Sequence, residues 1–166
     1  MFIEKILFSK EECDNIIQGI IKKDEYDWDK SDRLYNSSQI EFNDETNWIF
    51  DRLKNFFCES TNNEIIYNKN KIHFHTFKKG DFFNRHNDIR EKRIYSVGVI
   101  LNMDFDGGDF KLYTNNTTTI KKETGNTYIF DVGIEHEITE VLSGIRYSLI
   151  WFLGDENLKV NKKSLM

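Results

Sequence analysis

The sequence predicts a mainly β fold, a barrel or sandwich of short strands, preceded by two helices. Three observations carry this. From about residue 64, short runs of apolar and β-branched residues follow one another: "IHFHTF", "RIYSVGVILN", "GDFKLY", "NTYIFDV", "EHEITEV" and "IRYSLIWFL". Gly80, Gly107, Gly108, Gly125, Gly133 and Gly144 punctuate them, and the chain has no proline, so its turns depend on Gly, Asn and Asp. Upstream, apolar residues recur twice at helical spacing instead. Many short strands separated by turn signals point to a closed or two-layered β architecture.

Taken in order, residues 2–7 read as a strand leading into a helix. Ser9 and Glu12 form a capping box with Ser9 as N-cap. Ile16, Ile17, Ile20 and Ile21 give that helix its apolar face. Residues 24–42 are polar and aromatic without a clear period and read as a loop, with a strand near Gln39–Phe42. A second helix is expected over about 44–60, where Trp48, Ile49, Leu53, Phe56 and Phe57 share helical spacing. In the strand "IHFHTF", Ile72, Phe74 and Thr76 fall on one face and His73, His75 and Phe77 on the other. The charged residues after Gly154 are expected to fray. With no internal repeat or linker, residues 1–166 read as one domain: a helical part to about 62, a β core over 63–154 and a tail over 155–166.

Composition excludes some functions. The 166 residues carry a net charge of -5, which argues against a general nucleic-acid binder. No apolar run approaches the roughly 20 residues of a membrane span. The start, "MFIEKILFSKEEC", becomes charged too early for a secretory signal. Cys13 and Cys58 fall on the two helices and do not make a disulfide framework; buried reduced thiols in a cytosolic setting are expected. Aromatics at 14% supply a packed interior despite 31% charged residues.

The chemistry concentrates in "FFNRHNDIR" and "GIEHEITEVLSGIRYS". His86 and Asp88, at i and i+2 of a strand, can face one metal ion, and a later strand can bring His136. Two imidazoles and one carboxylate, with open positions opposite, form the facial triad of Fe(II) oxygenases. Arg146 and Ser148 give this a second part. A 2-oxo acid would fill two open positions, and a distal carboxylate on it would need a fixed cation, for which the planar guanidinium is suited. "GIRYSLIWF" is apolar on both faces, so a charge within it should have a partner. A zinc hydrolase would leave the Arg–Ser pair without purpose. A metal-binding β module without turnover is the reading from another class. Arg85, Arg90, Lys92 and Arg93 can attract an acidic substrate, against the ordinary reading of solvated loop charges for the first three.

These segments, in order, resemble the prolyl 4-hydroxylase-like branch of the Fe(II)- and 2-oxoglutarate-dependent dioxygenases. "FSKEECDNII" resembles the opening strand and helix of that family, and "FKKGDFFNRHND" its strand ending in His-x-Asp. "RIYSVGVILNMDFDGGDFKLY" and "TGNTYIFDVGIEHEITEVLSGIRYSLIWFL" resemble the strands that follow, so that the likeness spans the chain. It implies a distorted double-stranded β-helix, a jelly-roll or cupin-like fold, with the N-terminal helices packed on its major sheet. It implies Fe(II) on His86, Asp88 and His136, with no catalytic residue beyond these ligands. It also implies 2-oxoglutarate on Arg146, O2 as oxidant and ascorbate as a candidate reductant. Ser148 and Ser96 become candidate helpers at the co-substrate, and Ser96 shares its face with Gly98 and Ile100. The implied reaction is hydroxylation of a C–H bond, in a prolyl or other side chain of a peptide or protein, or alternatively in a free amino acid or other small molecule. Phe77 departs from the family, because many relatives carry there a tyrosine that hydrogen-bonds near the co-substrate. His73, His75, Phe77 and Ile100 are the candidate pocket lining. Nucleic-acid dealkylation is disfavoured, since that branch carries a second arginine where this chain has Phe152.

Overall fold

The computed structural model describes residues 1–19 and 23–159. The chain begins with β1 (Phe2–Ile6) and α1 (Lys10–Gly19), then β2 (Lys23–Lys30), β3 (Arg33–Ile40) and α2 (Asn47–Thr61). There follow β4 (Ile72–Phe77), β5 (Phe82–His86), β6 (Arg93–Ile100), β7 (Phe105–Gly107) and β8 (Phe110–Tyr113). The last strands are β9 (Thr117–Thr119), β10 (Asn126–Asp131), β11 (Glu135–Ile138), β12 (Val141–Gly144) and β13 (Arg146–Gly154).

One antiparallel sheet runs β1-β10-β6-β13-β4-β3 and continues through β5-β11-β8-β9, with β2 paired to β3; β7 and β12 form a separate ribbon. β3 makes the corner: most of it pairs with β4, while Arg33 and Leu34 pair with Phe83 and Phe82 of β5. The sheet therefore curls on itself, giving the double-stranded β-helix. Both helices pack on its outer face, where Cys13, Ile16, Phe50, Leu53 and Phe57 meet Phe74, Val97, Val99, Leu149, Trp151 and Leu153. A second core fills the inside of the curl, with Tyr35, Phe77, Phe110, Tyr128, Phe130 and Ile138.

The capping box forms as expected. The Ser9 N–H donates to Glu12 Oε1 at 2.9 Å, and the Glu12 N–H to Ser9 Oγ at 3.1 Å. Arg52 of α2 then clamps Glu12 at 2.7 Å, tying the two helices together. α2 ends at Asn62, whose left-handed backbone (φ 56°) returns its N–H to the Cys58 carbonyl. Ile20 and Ile21 lie outside the described residues. Cys13 is buried and Cys58 half-buried, both as free thiols.

Two regions differ from expectation. Residues 24–42 are mostly a hairpin, β2–β3, rather than a loop with a late strand. Its charged outer face hid the alternation, and a register shift between Lys23 and Tyr26 breaks the period further. The start of the tail is docked, not frayed. Asn157 is 1% exposed; it accepts from the Gly154 N–H and donates to the Tyr67 carbonyl, and Leu158 bridges to Ile65. Residues 160–166 lie outside the described residues. No helix among the described residues is long and apolar enough to cross a membrane.

Candidate metal centre

His86 ends β5 and His136 stands opposite it on β11, as a register pair. Their ring centroids are 4.2 Å apart. Asp88 lies beyond the end of β5, so strand alternation is not what aims it. Its N–H donates to the Val132 carbonyl, and its Oδ2 accepts from Ser96 Oγ at 2.7 Å. Its Oδ1 is thereby turned between the imidazoles, 3.6 Å from His86 Nε2 and 3.3 Å from His136 Nε2. The ligand-type atoms of these three residues all lie within 4.8 Å of one another.

Both imidazoles are oriented from behind. His86 Nδ1 meets the Asn84 carbonyl at 2.6 Å, and His136 Nδ1 meets the Ile134 carbonyl at 2.9 Å. A carbonyl only accepts, so each Nδ1 carries the proton and each Nε2 presents its lone pair, the tautomer a metal requires. Phe83 stacks on His86 at 3.6 Å, and Phe110 and Phe130 flank His136. Burial works to raise the Asp88 carboxyl, but the neighbouring His136 and His86 and the Ser96 hydroxyl outweigh it and hold the group well below the usual carboxylate range. The donor set suits a divalent first-row metal such as Fe(II).

The triad, Phe83 and Phe110 line a cavity of about 260 Å³ that also includes His73, His75, Ser148, Phe152 and Arg93. Arg146 is 1% exposed, so it is no surface arginine. Its Nε donates to the Gly108 carbonyl at 3.0 Å and its Nη1 to Ser148 Oγ at 2.9 Å. Its Nη2 is buried and has no hydrogen-bond partner among the described residues. Burial pulls the guanidinium below its ordinary value, against the opposing effects of Tyr128 and Asp109. An orphan donor on a buried cation, bonded to a serine that lines the cavity, fits the distal carboxylate of a dicarboxylic co-substrate.

The remaining expectations resolve unevenly. His73 and His75 do line the cavity. Burial is the first cause that lowers both, to about 4 for His73 and about 3 for His75. They are therefore neutral groups at physiological pH. Phe77 is not among the residues that line the cavity; it is fully buried behind them, stacked on Tyr35 and under the Arg146 guanidinium. Ile100 is not a lining residue either; it is 3% exposed and paired with Ser148 across the sheet. Ser96, expected beside the co-substrate, donates its hydroxyl proton to Asp88. Arg93 stacks over Phe152 at 3.6 Å at the cavity mouth, and the hairpin adds Trp28 and Arg33.

Sequence reasoning missed the hairpin residues, Gly108 and Tyr128. The alternation in "EYDWDK" was the available signal for the first, and a glycine within the β-branched run of β6 for the last.

Comparison with known proteins agrees with this geometry. An uncharacterised protein of Fowlpox virus (strain NVSL) is 35% identical over 81 residues, which cover 46% of this chain and 19% of that one, so the chain spans about a fifth of the curated relative it matches. A 2OG-Fe(II) oxygenase family oxidoreductase from Burkholderia pseudomallei superposes with a TM-score of 0.75 at 17% identity, covering 95% of this chain and 86% of that one. A Trichoplax adhaerens prolyl hydroxylase, solved with a hypoxia inducible factor oxygen degradation domain peptide, superposes with a TM-score of 0.72 at 16% identity, covering 93% and 84%. These two likenesses carry the fold. The family model of the 2OG-Fe(II) oxygenase superfamily matches residues 72–154, β4 through β13 with the whole triad and Arg146, and the chain belongs to that superfamily.

Proposed function

We propose that this chain is an Fe(II)- and 2-oxoglutarate-dependent dioxygenase that hydroxylates a C–H bond of a prolyl or other side chain in a peptide or protein. His86, Asp88 and His136 would hold the iron, and Arg146 with Ser148 would hold the distal carboxylate of 2-oxoglutarate. The observation that carries this reading is the unpartnered Nη2 of buried Arg146, bonded through Ser148 to the cavity that holds the triad. Neither a zinc hydrolase nor a silent metal module has a use for that donor. When bound, iron with 2-oxoglutarate and O2 supplies the oxidation, with decarboxylation to succinate.

The chain's own groups position and exclude water. The Asn84 and Ile134 carbonyls fix the imidazoles, and Ser96 fixes the carboxylate. Phe83, Phe110 and Phe130 shield the imidazoles. Trp28, Arg33, Arg93 and Phe152 form the mouth, where a peptide can lie across the hairpin. The peptide complex of the Trichoplax neighbour supports that class of substrate. The two free thiols support a reducing, cytosolic setting, and burial pushes the Cys13 thiol up to about 12, so it stays protonated.

The test is anaerobic titration with Fe(II) and 2-oxoglutarate, followed by succinate release with proline-containing peptides and with free amino acids. A metal-to-ligand charge-transfer band is expected, and Asp88→Ala should weaken iron binding by at least about tenfold. No band with the wild-type chain overturns the reading. A band with turnover stimulated only by free amino acids moves the substrate to the small-molecule class.

A further inference from the structure

Tyr128 of β10 is 2% exposed, and its buried hydroxyl stands on the Arg146 side of the cavity. It pairs across the sheet with Gly98 of β6, which in turn pairs with Ile150 of β13. A Cβ built on Gly98 would stand 2.3 Å from Tyr128 Cζ and 2.4 Å from its hydroxyl oxygen. The ring therefore lies across the sheet in the space a side chain at 98 would fill. Glycine inside a strand weakens it and marks a close approach; here what approaches is a phenol reaching from β10 toward β13. Phe110 and Phe130 pack against the ring, at centroid distances of 5.0 and 6.1 Å.

The hydroxyl reaches the neighbourhood of Arg146, and Tyr128 lines the same cavity as the triad. Burial raises its titration point, so it is a neutral donor. A carboxylate offers about four acceptor sites. Arg146 Nη2 can fill one. Ser148 accepts from Nη1 and keeps its own proton to give. Phe77, under the guanidinium, has no polar group to add.

We infer that Tyr128 is a co-substrate-binding residue whose phenol donates to the distal carboxylate of 2-oxoglutarate together with Arg146, from a seat that exists because position 98 is glycine. This rests on the oxygenase reading above.

The test compares the wild-type chain with Tyr128→Phe in anaerobic Fe(II) titrations against 2-oxoglutarate and against 2-oxobutyrate, which lacks the distal carboxylate. Iron affinity and unfolding temperature should stay near wild type. The charge-transfer titration should show 2-oxoglutarate bound about tenfold or more weakly, as for a hydrogen bond to a charged group, while 2-oxobutyrate affinity is unchanged. Gly98→Ala, which displaces the ring, should produce the same selective loss. An unchanged 2-oxoglutarate affinity in either variant, or equal weakening for both acids, overturns the assignment alone. A wild-type chain that gives no band overturns the oxygenase reading and this assignment with it.

Discussion

The two faces of β13 belong to one strand and do opposite work. Leu149, Trp151 and Leu153 face the helices and are at most 1% exposed in an apolar core. Arg146 and Ser148 face the inside of the curl, also buried, as a cation and a hydroxyl whose bonds are incompletely used. β4 and β6 repeat the division, with Phe74, Val97 and Val99 outward and His73, His75 and Ser96 inward. Since successive side chains of a strand point to opposite faces, stability and chemistry are separated by a single residue step. The outer face can hold the sheet rigid while the inner face keeps polar groups unsatisfied for a ligand.

The largest effect expected from breaking this division is on the outer face. Trp151→Ala removes a fully buried indole that packs edge-on against Phe50 and donates to the Asn70 carbonyl. A loss of about 3–5 kcal/mol is expected. For a chain of this size that is a fall of about 10 °C in unfolding temperature, measurable by calorimetry. Metal affinity of the fraction that remains folded should be close to wild type. A loss below about 1 kcal/mol would show that the outer face does not carry the fold.

Arg146→Met makes the complementary break. It removes a buried cation whose desolvation is unfavourable and leaves the Gly108 carbonyl and Ser148 hydroxyl without their donor. These contributions oppose one another, so the unfolding temperature should move by only a few degrees. Affinity for 2-oxoglutarate should fall by about a hundredfold, from lost charge-assisted bonds, while iron affinity holds. An Arg146→Met chain as unstable as Trp151→Ala would erase the distinction between the faces.

The same division explains what could be read in advance. His86, Asp88, His136, Arg146 and Ser148 were legible because their residue types have few other reasons to occur in that order. The reason Asp88 points inward was not legible. It depends on Ser96, on the next strand, and on the Val132 carbonyl, far downstream in the chain. The capping box was legible because it is local, and Asn157 was not, because its partners Tyr67 and Asn70 lie far upstream. The β2–β3 hairpin was obscured by the charges of its outer face. Tyr128 was hidden most completely. Its seat is an absence at Gly98, which acquires meaning only when β6 and β10 are neighbours.

The smallest effect sharpens the comparison through pH. His73 and His75 are held neutral on the inner face, lowered to about 4 and about 3 from an ordinary value near 6.5. Burial is the first cause for both. Arg93, Arg90 and Lys71 add to it at His73; His73 and Arg146 add to it at His75, where Asp88 opposes. Because the folded values lie below the unfolded one, the unfolded chain binds more protons between them. Stability is then fully present above about pH 6.5 and is lost as pH falls toward 4, by about 1 kcal/mol per unit for each histidine. Carboxylates contribute mainly below this window, so unfolding temperatures measured from pH 7 to 5 isolate the imidazoles. His75→Phe should flatten the slope in that range by about half and leave the outer core untouched. An unchanged slope would mean that His75 is already hydrated enough to take a proton in the folded chain. The inner face would then be wet at its floor as well as at its mouth.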